Sequence, residues 1–375
     1  MKETISMKLF NTLQRGKEQL AKEALDRIAG FVESQRTEED SFKDKSRKAD
    51  LYYTLFGWIL SYILGIRLDH KKMTSYLSRQ DTEKLDLIHY AAYMRCRIVR
   101  QLMEGGKAGL LLRSLFSTEI KPLNEFDGLP HNDMQSPYTQ FVWLSLLEDM
   151  GNLFRNQNSR FETGYGRSSI RDSGRDSIRD SSRDSDGDSS RSSIRDSSRD
   201  SIRDSSRDSI RDSGRSSIRD SSRDSIRDSG RDSDGDSGRA GTIDIPGSLE
   251  PYHMKGGGFM NTRDGLTATT NATVAALAVK GQLAGYKENE DLFFLRDLQE
   301  ASGGFGAAKA SPVPDLLSTA TSLFMLSCYG KQPKYPVRDF IEAHWLDSGG
   351  FSATLLDDKS DVEYTFYGLL ALGTI

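Results

Sequence analysis

The chain has 375 residues and carries 51 Lys and Arg against 55 Asp and Glu, a formal net charge of −4. That balance, with a pI near 5.9, excludes the strongly basic footprint of a nucleic-acid binder. Its 2 cysteines, Cys96 and Cys328, lie far apart without a CxxC spacing, which excludes a disulfide scaffold and a cysteine zinc cluster.

The opening stretch "MKETISMKLFNTLQRGKEQLAKEALDRI" reads as one charged amphipathic helix without the apolar core of a signal peptide. Leu51–Ile66 is strongly apolar but interrupted by Thr54 and Ser61, and it is shorter than the roughly 20 apolar residues of a bilayer span. A buried helix in a soluble, cytoplasmic protein without a transmembrane segment is expected. "LDLIHYAAYMRCRIV" (85–99) and "SPYTQFVWLSLLEDMG" (136–151) read as further helices, with "GGKAG" (105–109) a turn. From about Arg167 to Ala240 the chain repeats the tetrapeptide x-Arg-Asp-Ser, with Ile at intervals of 8 or 16 residues. So sparse an apolar content does not offset the entropy of ordering the chain. Residues 159–250 are therefore expected to be a disordered, low-complexity insert between 1–158 and 251–375. A tolerated surface insertion, a phosphorylatable Ser tract and an interaction arm all remain open readings. Deleting Ser168–Gly238 should leave thermal stability nearly unchanged.

Internal periodicity organises the rest. "GGF" recurs with Phe259, Phe305 and Phe351 spaced 46 residues apart. Ten residues after each Phe comes Thr269, Asp315 or Asp361; four later comes Thr273, Thr319 or Thr365; an apolar run follows each time. Phe42, Asp50 and Thr54 form the same unit with a shorter loop, and 85–99 and 136–151 are looser copies.

One copy shows the physics. "YPVRDFIEAHWLDSGGF" starts a half-exposed helix at Pro336 and ends it on a Gly pair, which accepts left-handed geometry. Phe351 plugs the turn into the core, and Asp361 suits the N-cap of the next helix. That helix is apolar nearly all round, so it must be buried. Gly57 and Gly368 weaken their helices unless close helix packing compensates. Such hairpins must stack. The expected fold is all-α: an α/α toroid of about six helical hairpins, with inner helices starting near Asp50, Asp86, Thr269, Asp315 and Asp361. Between 136–156 and Phe259 an outer helix is due, and the sequence offers only the insert and "GSLEPYHMK".

The 46-residue period, the GGF turn and the D-x-x-x-T helix start resemble the prenyltransferase and squalene-cyclase repeat. "DSGGFSATLLDDKSDVEYTFYGLLALG" carries the resemblance best; it is specific over 256–375, fair over 35–66 and weak over 67–151. The resemblance implies chemistry at positions one, three and four of the inner helices, counting the cap as one. Protein prenyltransferases of this family hold zinc with Asp and Cys of one unit and His of the next. Here Asp315 is kept, but Leu317 and Tyr364 stand in the Cys and His places, so no zinc site and no cofactor are expected. Cyclases resembling this frame carry D-x-D-D-T, whose middle Asp protonates a polyene. Glu363 takes that place in "DVEYT", with Tyr364 where cyclases have a supporting Asp.

Glu363, Asp361 and Asp315 are therefore the candidate catalytic residues. A carboxyl in an apolar, aromatic cavity has a raised pKa and serves as a general acid. Tyr53, Phe56, Trp58, Tyr364 and Tyr367 are the candidate substrate-binding residues, facing a developing cation. Glu363 also reads as a helix-start acid favoured by the macrodipole, and His89 as a core or surface histidine. "DDKSD" (357–361) matches a magnesium–diphosphate motif in residue type but falls in a loop. Nucleophile-elbow, Walker, zinc-protease and Rossmann signatures are absent from the sequence. Two classes stay open. One is a prenyltransferase-like or terpenoid-cyclase-like enzyme with an isoprenoid or similar apolar small molecule in a central cavity. The other is a noncatalytic toroid binding a lipid or a protein partner.

Overall fold

The computed structural model describes residues 3–113, 136–153 and 249–375, which belong to one compact unit. The expected insert lies outside them, apart from its last two residues. The described chain is mostly helical: α1 (Ile5–Glu18), α2 (Lys22–Ser34), α3 (Leu51–Leu64), α4 (His70–Ser78), α5 (Leu87–Arg113), α6 (Pro137–Leu153), α7 (Thr270–Ala284), α8 (Glu290–Asp297), α9 (Leu316–Cys328), α10 (Arg338–Ala343) and α11 (Val362–Leu372). Two short antiparallel pairs accompany them, β1 (Phe42–Lys43) with β2 (Ala49–Asp50), and β3 (Phe351–Ser352) with β4 (Ser360–Asp361). Among the described residues, no helix is long and apolar enough to cross a membrane.

The repeated unit has one local geometry in four places. Phe42, Phe259, Phe305 and Phe351 are each 2% exposed or less. Each pairs backbone-to-backbone with the cap residue of the following helix: Asp50, Thr269, Asp315 or Asp361. Each Phe N–H donates to the hydroxyl of the Thr four residues past that cap, at 2.9, 2.9, 2.9 and 3.2 Å. The Thr thus satisfies a backbone donor that the buried turn would otherwise strand, where an unmet donor costs about 1–3 kcal/mol. All the expected starts hold. Asp50, Thr269, Asp315 and Asp361 cap α3, α7, α9 and α11 with their side chains, and the Asp86 carboxylate accepts the His89 N–H at the start of α5. The turn read at 105–109 is a break in α5 at Gly106.

Helices α3, α5, α6, α7, α9 and α11 pack each on the next, and α11 packs back on α3. The glycine turns tie each unit to its neighbour. A Cβ on Gly257, Gly303 or Gly349 would meet the backbone of Glu290, Pro336 or Arg27, at the entry to α8, just before α10, or within α2. Before Phe259, the described residues are helical Leu249 and a 3₁₀ turn at Glu250–Tyr252, which lead into the Phe259 bridge.

Two expectations need correction. The opening stretch is two helices, broken at Gln19–Ala21. Helix α2 packs on α3, whereas α1 crosses the C-terminal ends of α3 and α11. Arg15 Nε donates to the Gly373 carbonyl at 3.1 Å and Lys17 Nζ to the Ile63 carbonyl at 2.8 Å. Cations are favoured there by the exposed carbonyls of a helix end. Gly16 permits the contact, since a Cβ on it would lie 2.0 Å from the Leu369 carbonyl oxygen. The start of α1 is held by α6, with Ser6 Oγ donating to Asp149 at 2.8 Å and the Ile5 N–H to Glu148 at 3.1 Å. The second correction concerns Gly57 and Gly368. They make room for the plug rather than for a neighbouring helix: added Cβ atoms would lie 2.2 Å from the Phe42 ring and 2.6 Å from the Phe351 ring.

Candidate functional site

The N-terminal ends of some of the packed helices bring side chains together. Counting each cap as one, with Ser136 capping α6 through the Thr139 N–H, the third positions are Tyr52, Ile88, Tyr138, Asn271, Leu317 and Glu363. All six keep part of their surface accessible, although most neighbouring positions on these helices are buried. Glu363 and Tyr52, from the last and first of these helices, meet: the Tyr52 hydroxyl donates to Glu363 Oε1 at 2.9 Å.

Burial raises the Glu363 pKa above the ordinary carboxyl value. The Tyr52 bond works against this, Asp361 adds to it, and Lys45 and Tyr53 lower it again. Burial likewise pushes the phenols of Tyr52, Tyr53 and Tyr364 far up, and that of Tyr367 well above its usual value. Tyr138 is 41% exposed, yet burial raises its pKa as well, with Arg95 and Glu363 as its charged neighbours. Phe56 packs edge-on to Tyr52 at 4.8 Å and tilted to Tyr367 at 6.0 Å, with Tyr364 6.3 Å from Tyr367.

Tyr53, Phe56, Tyr364 and Tyr367 therefore gather with Glu363. Trp58 does not join them. It is fully buried, donates from Nε1 to the Asp40 carbonyl at 2.6 Å and packs edge-on against Tyr76. Asp315 is committed to its helix: the Ser318 N–H and hydroxyl occupy its two oxygens, both at 2.7 Å. Burial raises its pKa and those two bonds oppose the rise. Asp361 accepts the Tyr364 N–H at 2.8 Å, with Lys45 Nζ 3.8 Å from its other oxygen. Burial raises its pKa, opposed by Tyr364 and Lys45. Asp357 and Asp358 are exposed in the loop, where Asp357 accepts from the Thr354 N–H and hydroxyl. Among the described residues, no three His, Cys, Asp or Glu side chains converge as a metal-holding group.

Three residues at the site were missing from the candidates. Tyr52 and Tyr138 occupy the third position, the same place as Glu363, and that frame was the signal. His89 links two caps, with Nδ1 2.9 Å from Asp86 and Nε2 3.4 Å from Asp50. The Asp50 bond, with Asp86 adding, holds its pKa up at about 9 against burial. Comparison of the chain with family models, curated proteins and solved structures returns no significant match.

Proposed function

We propose that the chain is an α/α toroid of the prenyltransferase and squalene-cyclase kind. In this reading it handles an isoprenoid or similar apolar molecule in a tyrosine-lined concavity, with Glu363 as the proton donor. The observation that carries it is the placement of Glu363: a carboxyl of raised pKa, accessible, and walled by Tyr52, Tyr53, Phe56 and Tyr367. Desolvation keeps such an acid protonated to higher pH, and the aromatic faces stabilise positive charge that develops beside it. The return of α11 onto α3 supports the toroid. Zinc chemistry has no support, since Leu317 and Tyr364 fill the places that would have to supply Cys and His; purified protein is expected to carry no stoichiometric zinc by elemental analysis.

Native mass spectrometry of the full chain with a panel of polyprenyl alcohols and diphosphates tests the reading. One bound isoprenoid per chain is expected, and turnover of a bound substrate should be abolished in Glu363→Gln with folding intact. Failure of every isoprenoid to bind overturns the proposal. The engagement of Asp315 by Ser318 and of Glu363 by Tyr52 favours a second reading, a noncatalytic carrier. In that case ligand binds, no product forms, and Glu363→Gln merely changes affinity.

A further inference from the structure

We infer that the concavity selects a ligand whose head group is an organic ammonium rather than a diphosphate. The inference rests on the proposed reading for its apolar tail and adds the charge of the head. Asp50, Asp86, Asp315 and Asp361 each cap a helix, so the helix N-terminus already matches their charge. Glu363 caps nothing. Its hydrogen-bond donor is a neutral phenol, and it stands one residue beyond the first of α11, partly accessible among aromatic side chains. An ammonium head takes the place of the acid's proton: it favours the ionised form of Glu363 and pairs with it, while the aromatic faces meet the cation through their ring quadrupoles.

The chain itself places an ammonium at this spot. Lys45, in the loop joining β1 to β2, holds Nζ 5.0 Å from the Tyr364 ring centroid and 3.8 Å from Asp361, with its side chain 63% exposed. The distance is within the reach of a cation–π contact. An anionic head would meet the opposite field. Of the charged groups acting on Glu363, Asp361 is repulsive to an anion, and Lys45 is already shared with Asp361 and Tyr364. Arg95, another cation beside the cluster, is committed to Asp149 at 3.2 Å and to Ser145 at 2.7 Å, and His89 to Asp86 at 2.9 Å and Asp50 at 3.4 Å. The loop that carries Lys45 is itself basic, with Lys43, Arg47 and Lys48 against Asp44, so discrimination against an anionic head rests on Glu363 and Asp361 rather than on the loops.

The test uses one tail with three heads, plus a head without a tail. Geranylamine, geraniol, geranyl diphosphate and tetramethylammonium are titrated into the purified full chain by calorimetry. Geranylamine should bind about tenfold or more tighter than geraniol, and geranyl diphosphate weaker than both, the scale expected of one ion pair with aromatic support. Glu363→Gln should erase the preference for the amine over geraniol. Lys45→Ala, which removes the competing cation, should raise amine affinity. Tightest binding of the diphosphate, or an amine preference that persists in a folded Glu363→Gln protein, overturns the inference and leaves the isoprenoid reading standing. Equal binding of geraniol and geranylamine does the same. Binding of tetramethylammonium without any geranyl compound retains the ammonium site and overturns the isoprenoid reading. Absence of binding by all four overturns both.

Discussion

The hairpin that enters α3 and the hairpin that enters α11 share one phrase, D-x-x-Y-T-x-[Phe/Tyr]-G, and one geometry around Phe42 and Phe351. They differ in how they turn. Gly349 has φ +93 and brings its backbone against Arg27, with no room for a Cβ. Asp40, in the matching place, also takes a positive φ of 60. Its carboxylate accepts the Asp69 N–H at 2.6 Å and sits 3.4 Å from Arg36. One turn reaches its neighbour by direct backbone approach; the other reaches across with a side chain. They differ again at the third position, where Tyr52 and Glu363 are unlike groups that bond to each other. The repeat therefore sets the scaffold, and the departures from it carry the junction and the chemistry.

Replacing the plug should have the largest effect. Phe351→Ala and Phe42→Ala each empty a fully buried site and should cost about 3–5 kcal/mol by urea denaturation. A much smaller loss at Phe42 would mean that the two hairpins are not equivalent in energy. Gly349→Ala should cost about 2–4 kcal/mol, from the positive φ and from a Cβ 2.4 Å from the Arg27 carbonyl oxygen. Asp40→Gly should cost only about 1–2 kcal/mol, because relief of the backbone partly offsets the lost hydrogen bonds. Equal losses at Gly349 and Asp40 would erase the distinction between the two turns.

Thr365→Val and Thr54→Val keep shape and strand the Phe N–H, so each should cost about 1–3 kcal/mol. The smallest effect separates the hairpins by pH. His89, beside Asp50, has a raised pKa, so its stabilisation is complete below about 6.5 and fades as pH rises towards about 9. The Tm should fall over that window in the parent chain and less so in His89→Gln. His344, before Phe351, is buried and neutral, with Nδ1 donating to the Phe340 carbonyl at 2.7 Å. Burial lowers its pKa, so its stabilisation is present above about 6.5 and is lost as pH falls through its folded value. The alkaline limb should therefore respond to His89 and the acid limb to His344→Gln.

The Phe-to-cap and cap-to-Thr spacings made the helix starts legible, because a buried turn must find partners for its backbone groups and these residue types provide them. The site was half legible. Glu363, Tyr53, Tyr364 and Tyr367 follow from the frame, but α3 is apolar on every side, so periodicity does not say which aromatics face inward; Trp58 faces the Asp40 turn. Asp40 escaped notice because a non-glycine residue seldom takes a positive φ. The break after α1 has no local signal either, since Gln19, Leu20 and Ala21 carry no Pro or Gly. It is imposed by α1 docking on helix ends written far away in the chain.

That docking orders events during synthesis. Arg15 and Gly373 are 358 positions apart, and the surface that α1 covers includes Leu369. On a ribosome adding about 5–20 residues per second, the first helix emerges tens of seconds before its resting place exists. Its start can meet α6 earlier, but the surface around Gly16 that rests on Leu369 must wait uncovered for that time. Nascent chains halted before residue 369 should therefore expose α1 to protease, and those extended past 373 should shield it.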